Sequence, residues 1–332
     1  MAGCAIGVDL GGTRIKAGVI DRTGRMHSRV ELATEASKGR DAIIANVAAA
    51  AEEARRAAKL PWSRVRAVGL GTPGGAKPGT GAIWGSPNMH CLEGKPLAAP
   101  VAVLLGLDKD GITLENDANV AAYAESWIGA GRDVGNLVLF TLGTGVGGGV
   151  VLNNEIWRGA WGAAGELGHQ IIFPDGARCG CGGRGCLEAH ASATAVVRRF
   201  REAVEAGERS VLAEAVKAGD TITARDIHSA ARKGDRLSAR IMEETGRMLG
   251  IAVANMLHIL NVERVVFAGG MTGAGMLLLR PIRDEARKRT MKFSMRGVKI
   301  LFSRLGNDAG LIGAAGWALR VARSGRVSGS GR

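Results

Sequence analysis

Four residues set the first chemical expectation: His169, Cys179, Cys181 and Cys186. The spacing His-x9-Cys-x-Cys-x4-Cys offers one imidazole and three thiolates, the closed ligand set of structural Zn²⁺. The glycines between the cysteines let the backbone wrap an ion. With four protein ligands no coordination position is open, so the metal is expected to hold structure and not to react. A redox or merely buried thiol cluster is the competing reading. Glu166 and Glu188 flank the loop, which would fix two carboxylates in place to hydrogen-bond vicinal hydroxyls. Ion-paired surface glutamates are the plainer alternative. His190 and His258 read as a surface and a core residue, without a role.

Two glycine turns are the next signal. Val8-Asp9-Leu10-Gly11-Gly12-Thr13 and Thr141-Leu142-Gly143-Thr144-Gly145 are copies of one strand, Gly turn, strand unit. Such turns bring backbone N–H groups to an anion without side-chain interference, so both could cradle phosphate. Neither fits the Walker pattern or the dinucleotide fingerprint, and Gly11-Gly12-Thr13 alone could be an ordinary hairpin. Asp9, at a strand end beside the first turn, could hold Mg²⁺ or simply cap the turn. Asp117 lies between a strand and a helix, with Asn116 and Asn119 around it. A carboxylate there suits a general base for phosphoryl transfer to a hydroxyl; a helix N-cap is the alternative.

The elements that must position these groups follow from hydrophobic pattern and breakers. Strands are expected at 5–9, 15–20, 65–70, 112–114, 137–141, 147–152 and 264–267. Helices are expected over most of 34–60, at about 120–128, at 237–260 and at 309–321. Strands alternating with helices mean an α/β protein. The 332 residues suggest two domains, and 46% hydrophobic content excludes general disorder. The 51 glycines are roughly double the usual share without a triplet period, which removes collagen. No apolar run reaches the length of a membrane span, and the N-terminal residues lack the features of a secretory signal. The expected protein is therefore soluble and cytoplasmic, with no membrane partner. The net charge is +13, and residues 280–299 hold eight Lys/Arg against two acids. Solvated basic surface accounts for this more simply than nucleic acid, which is not expected as a partner.

Together these motifs resemble the ROK family of sugar kinases, most closely its bacterial glucokinase branch. The resemblance runs from about Ala5 to Val321. It is carried by the two Gly turns, Ser86-Pro87-Asn88, Glu115-Asn116-Asp117-Ala118-Asn119, Gly165-Glu166-Leu167-Gly168-His169, the cysteine loop through Leu187-Glu188, and Gly269-Gly270. It implies an α/β fold of two actin-like (ribonuclease-H-like) domains around a cleft, with a structural zinc loop. The domains would be 1–130, smaller and on the sugar and phosphate side, and 131–321, larger and carrying the zinc loop and nucleotide side. Residues 322–332 would be a disordered basic tail.

By the same resemblance Asp117 is the catalytic base, taking the proton of a hexose 6-hydroxyl. Asn88, Asn116, Asp117, Glu166, His169 and Glu188 contact the sugar, and His169 also serves the zinc. Asp9, Gly11, Gly12, Thr13, Gly143 and Thr144 hold ATP and Mg²⁺ at the phosphates, and Gly269 and Gly270 form the adenosine wall. The implied reaction is ATP plus glucose giving glucose 6-phosphate and ADP, by a homodimer. Met89-His90-Cys91-Leu92 departs from the family, which often has Pro-Gly-Trp there. Kinases of N-acetylmannosamine, fructose or another hexose are rivals, and polyphosphate is a rival donor. A sugar-responsive regulator is disfavoured because the family's repressors carry a helix-turn-helix ahead of the first strand, here at Ala5. A catalytically inert module is disfavoured by the presence of Asp9, Asp117 and both turns.

Overall fold

The computed structural model describes residues 3–77, 80–86, 89–108 and 111–324. It divides into two compact units. Unit 1 comprises 1–135, 149–165 and 304–332; unit 2 comprises 136–148 and 166–303.

The chain opens with β1 (Cys4–Leu10), β2 (Arg14–Ile20) and β3 (Val30–Ala33), followed by α1 (Arg40–Ala57) and β4 (Val65–Thr72). A short hairpin, β5 (Gly75–Ala76) with β6 (Ile83–Trp84), interrupts the Gly/Pro-rich stretch. Then come α2 (Ala98–Leu104), β7 (Ile112–Asn116) and α3 (Asp117–Trp127). β8 (Leu137–Leu142), β9 (Val146–Leu152) and β10 (Glu155–Ile156) follow, then α4 (Leu187–Ala191), α5 (Ala193–Glu205), α6 (Ala213–Lys217), α7 (Ala224–Arg232) and α8 (Arg236–Leu260). β11 (Arg264–Ala268), α9 (Met276–Arg289), β12 (Lys299–Phe302) and α10 (Ala309–Ser324) complete the chain.

The internal repeat extends to whole sheets. The first has strand order β3-β2-β1-β4-β7 and the second β10-β9-β8-β11-β12. In each, a strand–Gly turn–strand unit supplies the middle, and later strands are added in parallel beside it: β4 and β7 in one, β11 and β12 in the other. Parallel neighbours need helical crossovers, which is why helices cover these sheets.

In the first sheet, Ile6, Val8, Val68 and Leu70 are buried in one cluster with Ile43, Val47 and Ala51 of α1. The alternate residues of the strands face α10, which packs on β1 and β4. That face is flattened by Gly7 and Gly69, where a Cβ would land on the carbonyls of Leu311 and Ala314 of α10. Gly69→Ala should therefore push helix from sheet and cost about 1–3 kcal/mol by overpacking. A thermal melt checks this: Tm should fall by several degrees, and an unchanged Tm would mean that α10 is not seated this closely. α3 joins the same layer, with Tyr123 edge-on to Trp317 at 5.2 Å. In unit 2, Phe140 and Phe267 stack at 5.1 Å between adjacent strands β8 and β11. Among the described residues no helix is long and apolar enough to cross a membrane.

Candidate active site

In unit 1 the sheet register brings the two expected carboxylates to one edge. Asp9 pairs in register with Gly71 of β4, and Gly71 with Glu115 of β7. Asp117, two residues on, leaves the same carboxyl end of the parallel strands, where open α/β sheets place their ligands. The chain turns there from strand directly into helix: α3 starts at Asp117, three residues earlier than the pattern suggested. The N-cap is Asn116, whose Oδ1 accepts from the N–H groups of Ala118 (2.9 Å) and Asn119 (3.0 Å). The competing assignment of Asp117 as cap thus falls to its neighbour. Asp117 Oδ1 accepts from Ala118 N–H at 2.7 Å, and the carboxylate sits at the positive end of the helix dipole.

Asn116 also donates from Nδ2 to the Gly74 carbonyl at 3.0 Å, which leaves one amide hydrogen for a ligand. Behind the turn, buried Glu115 accepts from Asn116 N–H and Asn119 Nδ2, both at 3.0 Å, and pairs with Arg158 at 2.5 Å. Arg158 lies 4.8 Å over the Trp317 ring. This bracing is specific to Glu115 and was not legible from the sequence.

Asp9 faces Lys16 across the β1–β2 hairpin, Nζ to Oδ2 at 3.7 Å, while the same ammonium donates to the Asn307 carbonyl at 3.0 Å. Burial raises the Asp9 carboxyl above its ordinary value, with Lys16 opposing. Its oxygens are not taken up by a tight partner, so the donor chemistry fits Mg²⁺, which favours one or two carboxylates alongside phosphate oxygens and water. The hairpin is closed by Gly11 N–H to Arg14 O at 3.0 Å and held by Thr34, whose hydroxyl donates to Gly11 O at 2.6 Å. Asn88 lies outside the described residues. Beside it, Met89 and Leu92 are buried in the core, so part of the atypical Met89–Leu92 stretch packs inward.

Unit 2 holds the Cys/His loop and the second Gly turn. The ligand atoms of His169, Cys179, Cys181 and Cys186 lie within 4.8 Å of one another. Cys181 and Cys186 sulfurs are 3.7 Å apart, as are Cys179 Sγ and His169 Nδ1. A zinc tetrahedron with ~2.3 Å Zn–S bonds has edges of about 3.8 Å, so these four residues fit the ion. All five cysteines are free. Burial, with the neighbouring thiols, pushes Cys186 up to about 12, whereas backbone N–H of Gly183 draws exposed Cys181 down.

Glu188, next to the loop, does more than the sequence suggested. Its Oε1 is 3.7 Å from Cys179 Sγ, and its Oε2 accepts from Val146 N–H at 2.9 Å, directly after the Gly143–Gly145 turn. A Cβ at Gly145 would meet the Glu188 carboxylate, so a larger residue there would have to displace it. One carboxylate therefore links the cysteine loop and the Gly143–Gly145 turn. The turn is further held by Ala193 N–H to Gly143 O and Thr194 Oγ1 to Thr144 O, both at 2.9 Å. Glu166 is exposed just before the short turn of helix at Leu167–His169.

Gly269 follows β11, itself in parallel register with β8, so Gly269-Gly270 stand beside the Gly143 turn. Gly143, Thr144 and Gly270 line a cavity of about 370 Å³ together with Thr223, Arg225, His228, Met242 and Met271. This α7 wall was missed in the sequence. Its signal was the capping box of Thr223 and Asp226, which marks a helix start. Two histidines were misread. His258 is exposed, not core, and accepts from Met291 N–H at 3.1 Å. His190 is half-buried: Nε2 accepts from Ala177 N–H at 3.2 Å and the ring meets Phe173 edge-on at 5.1 Å, so it braces the cysteine loop.

Residues 5–321 match the model of the ROK family. The chain belongs to the ROK family. Among its ROK relatives, a glucokinase from Halalkalibacterium halodurans is 37% identical over 95% of this chain and 94% of its own. A solved ROK family glucokinase from Streptomyces griseus, in complex with glucose and AMPPNP, superposes with TM-score 0.78 at 33% identity, covering 96% of this chain and 99% of that one. A ROK family transcriptional regulator, a homolog of the E. coli MLC protein, superposes with TM-score 0.85 at 27% identity, covering 98% and 80%. The fold is the mixed α/β fold of ROK sugar kinases, with a Cys/His cluster compatible with zinc.

Proposed function

We propose that this chain is an ATP-dependent sugar kinase that phosphorylates glucose at the 6-hydroxyl, giving glucose 6-phosphate and ADP. The observation that carries the reading is Asp117 at the carboxyl edge of the parallel strands, with the capping duty taken by Asn116. The glucokinase relatives support glucose as acceptor and ATP as donor.

Asp117 accepts the 6-hydroxyl proton as O6 attacks the γ-phosphorus; the new O6–P bond forms as the bond from the γ-phosphorus to the β-bridging oxygen breaks, and ADP leaves. Such a transfer asks the protein mainly for positioning, charge neutralisation and one proton acceptor. Asn88, Asn116, Glu166 and Glu188 orient the sugar hydroxyls. His169, with Nδ1 turned to the cysteines, keeps Nε2 for a hydroxyl. Gly12, Thr13 and Thr144 present backbone N–H groups to phosphate oxygens, while Gly11 and Gly143 shape the two turns, their own N–H groups bonded to the Arg14 and Gly145 carbonyls. Gly269 and Gly270 form the nucleoside wall, and Asp9 holds Mg²⁺, which supplies charge neutralisation at the phosphates. Zinc supplies rigidity to the loop that carries His169 and Glu188. The resemblance implies a cytoplasmic homodimer.

A coupled assay of ADP release across glucose, fructose, mannose, N-acetylmannosamine and N-acetylglucosamine tests the assignment. Glucose should give the highest kcat/KM with ATP, and polyphosphate should support little transfer. A preference for an N-acetylhexosamine, or equal use of polyphosphate, would overturn the acceptor or donor assignment respectively. Epimers differ by one hydroxyl, so discrimination rests on a few hydrogen bonds and must be measured.

A further inference from the structure

The basic stretch that the kinase chemistry leaves without a role is one corner of unit 2. Residues 287–299 contain six Lys/Arg and no acid. Arg287 and Arg289 reach back along α9 to Asp284 and Glu285. Lys288, Lys292, Arg296 and Lys299 are exposed and form no ion pair among the described residues.

The same corner exposes large apolar tips: Met291 is 52% exposed, Phe293 73% and Ile259 70%. They are held there by structure. Met291 N–H donates to His258 Nε2 at 3.1 Å, which ties the segment after α9 to the end of α8, where Ile259 stands. Thr290 and Ser294 are buried, and turn bonds from Met295 to Met291 O and from Arg296 to Phe293 O fix the backbone between them. Phe293 and Met291 are thus presented outward among free cations.

The combination restricts what covers it. A symmetric contact between two copies through this corner would set like charges against each other. A nucleic-acid backbone would use the cations but not the Met and Ile tips. An anionic lipid surface uses both, headgroups taking the cations and the acyl boundary taking the apolar tips. We propose that the 287–299 corner, with Ile259, is a peripheral docking surface for anionic phospholipid. It needs no spanning helix, and it is independent of the kinase assignment.

Flotation of the full chain with vesicles tests this, using phosphatidylcholine alone or mixed with phosphatidylglycerol. The chain should float with the mixed vesicles at low salt, progressively less as salt rises, and not with phosphatidylcholine alone. Lys292→Glu with Arg296→Glu should weaken binding by about tenfold or more, from the loss of cation–headgroup attraction. Phe293→Ser should weaken it by about tenfold through the lost apolar insertion. Both variants should keep the kinase turnover and Tm of the parent. No flotation at low salt would overturn the proposal. So would flotation that the charge reversals leave intact, which would place binding elsewhere on the chain. Retention of transfer RNA that Phe293→Ser leaves unaltered, without vesicle binding, would assign the corner to nucleic acid instead.

Discussion

Asp117→Asn is expected to lower kcat by about 10²–10⁴-fold, the range for removing a positioned general base. The substitution is chosen for its shape. The Asn oxygen can still accept the Ala118 N–H bond made by Oδ1 at 2.7 Å, and Asn116 still caps α3, so the helix start survives. What is lost is the ability to accept a proton. Sugar affinity, measured as a binding constant without nucleotide, should change by less than about threefold if Asp117 acts in the transition state and not in ground-state binding. Turnover at the parent rate would remove Asp117 as the base. A large loss of sugar affinity with kcat retained would make it a binding residue instead.

Cys181→Ser is the second large effect. Cys181 is the exposed member of the four-residue cluster, so the substitution leaves the buried thiols in place while breaking the tetrahedral set. Zinc content should fall well below one per chain, and KM for sugar should rise by about 10–100-fold, the scale seen when support of a site is lost. The structure adds a further expectation. Glu188 connects Cys179 to Val146 N–H behind the Gly143–Gly145 turn, so KM for ATP should rise as well. Elemental analysis and two KM values check this. Full zinc with both KM values unchanged would contradict a structural zinc loop. Loss of zinc that moves the sugar KM alone would deny the Glu188 link.

What could be read in advance was local. The Gly turns, the cysteine spacing and the strand runs lie within a few residues of one another, and each declares itself through residue type. The repeated unit at Asp9–Thr13 and Thr141–Gly145 also foreshadowed two sheets of identical strand order. The parallel register that aligns Asp9 with Gly71 and Glu115 could not be read, because it depends on pairing across helical crossovers. The link from Glu188 to Val146 spans 42 residues and has no sequence signal. Asp117 stayed ambiguous between base and cap because Asn116 and Asp117 are both capping types, and only backbone geometry says which one caps. His258 was misplaced because the helical apolar spacing of α8 was carried one turn too far, to an end where His258 and Ile259 face solvent.

The most direct test of the kinase account is the product itself. The purified chain, incubated with ATP, Mg²⁺ and glucose, is followed by phosphorus NMR. A sugar phosphate resonance coupled to the C6 protons should appear and grow in step with ADP. If glucose binds but no phosphate is transferred to it or to any other hexose, the chain is a sugar sensor and the assignment of Asp117 as a base is wrong.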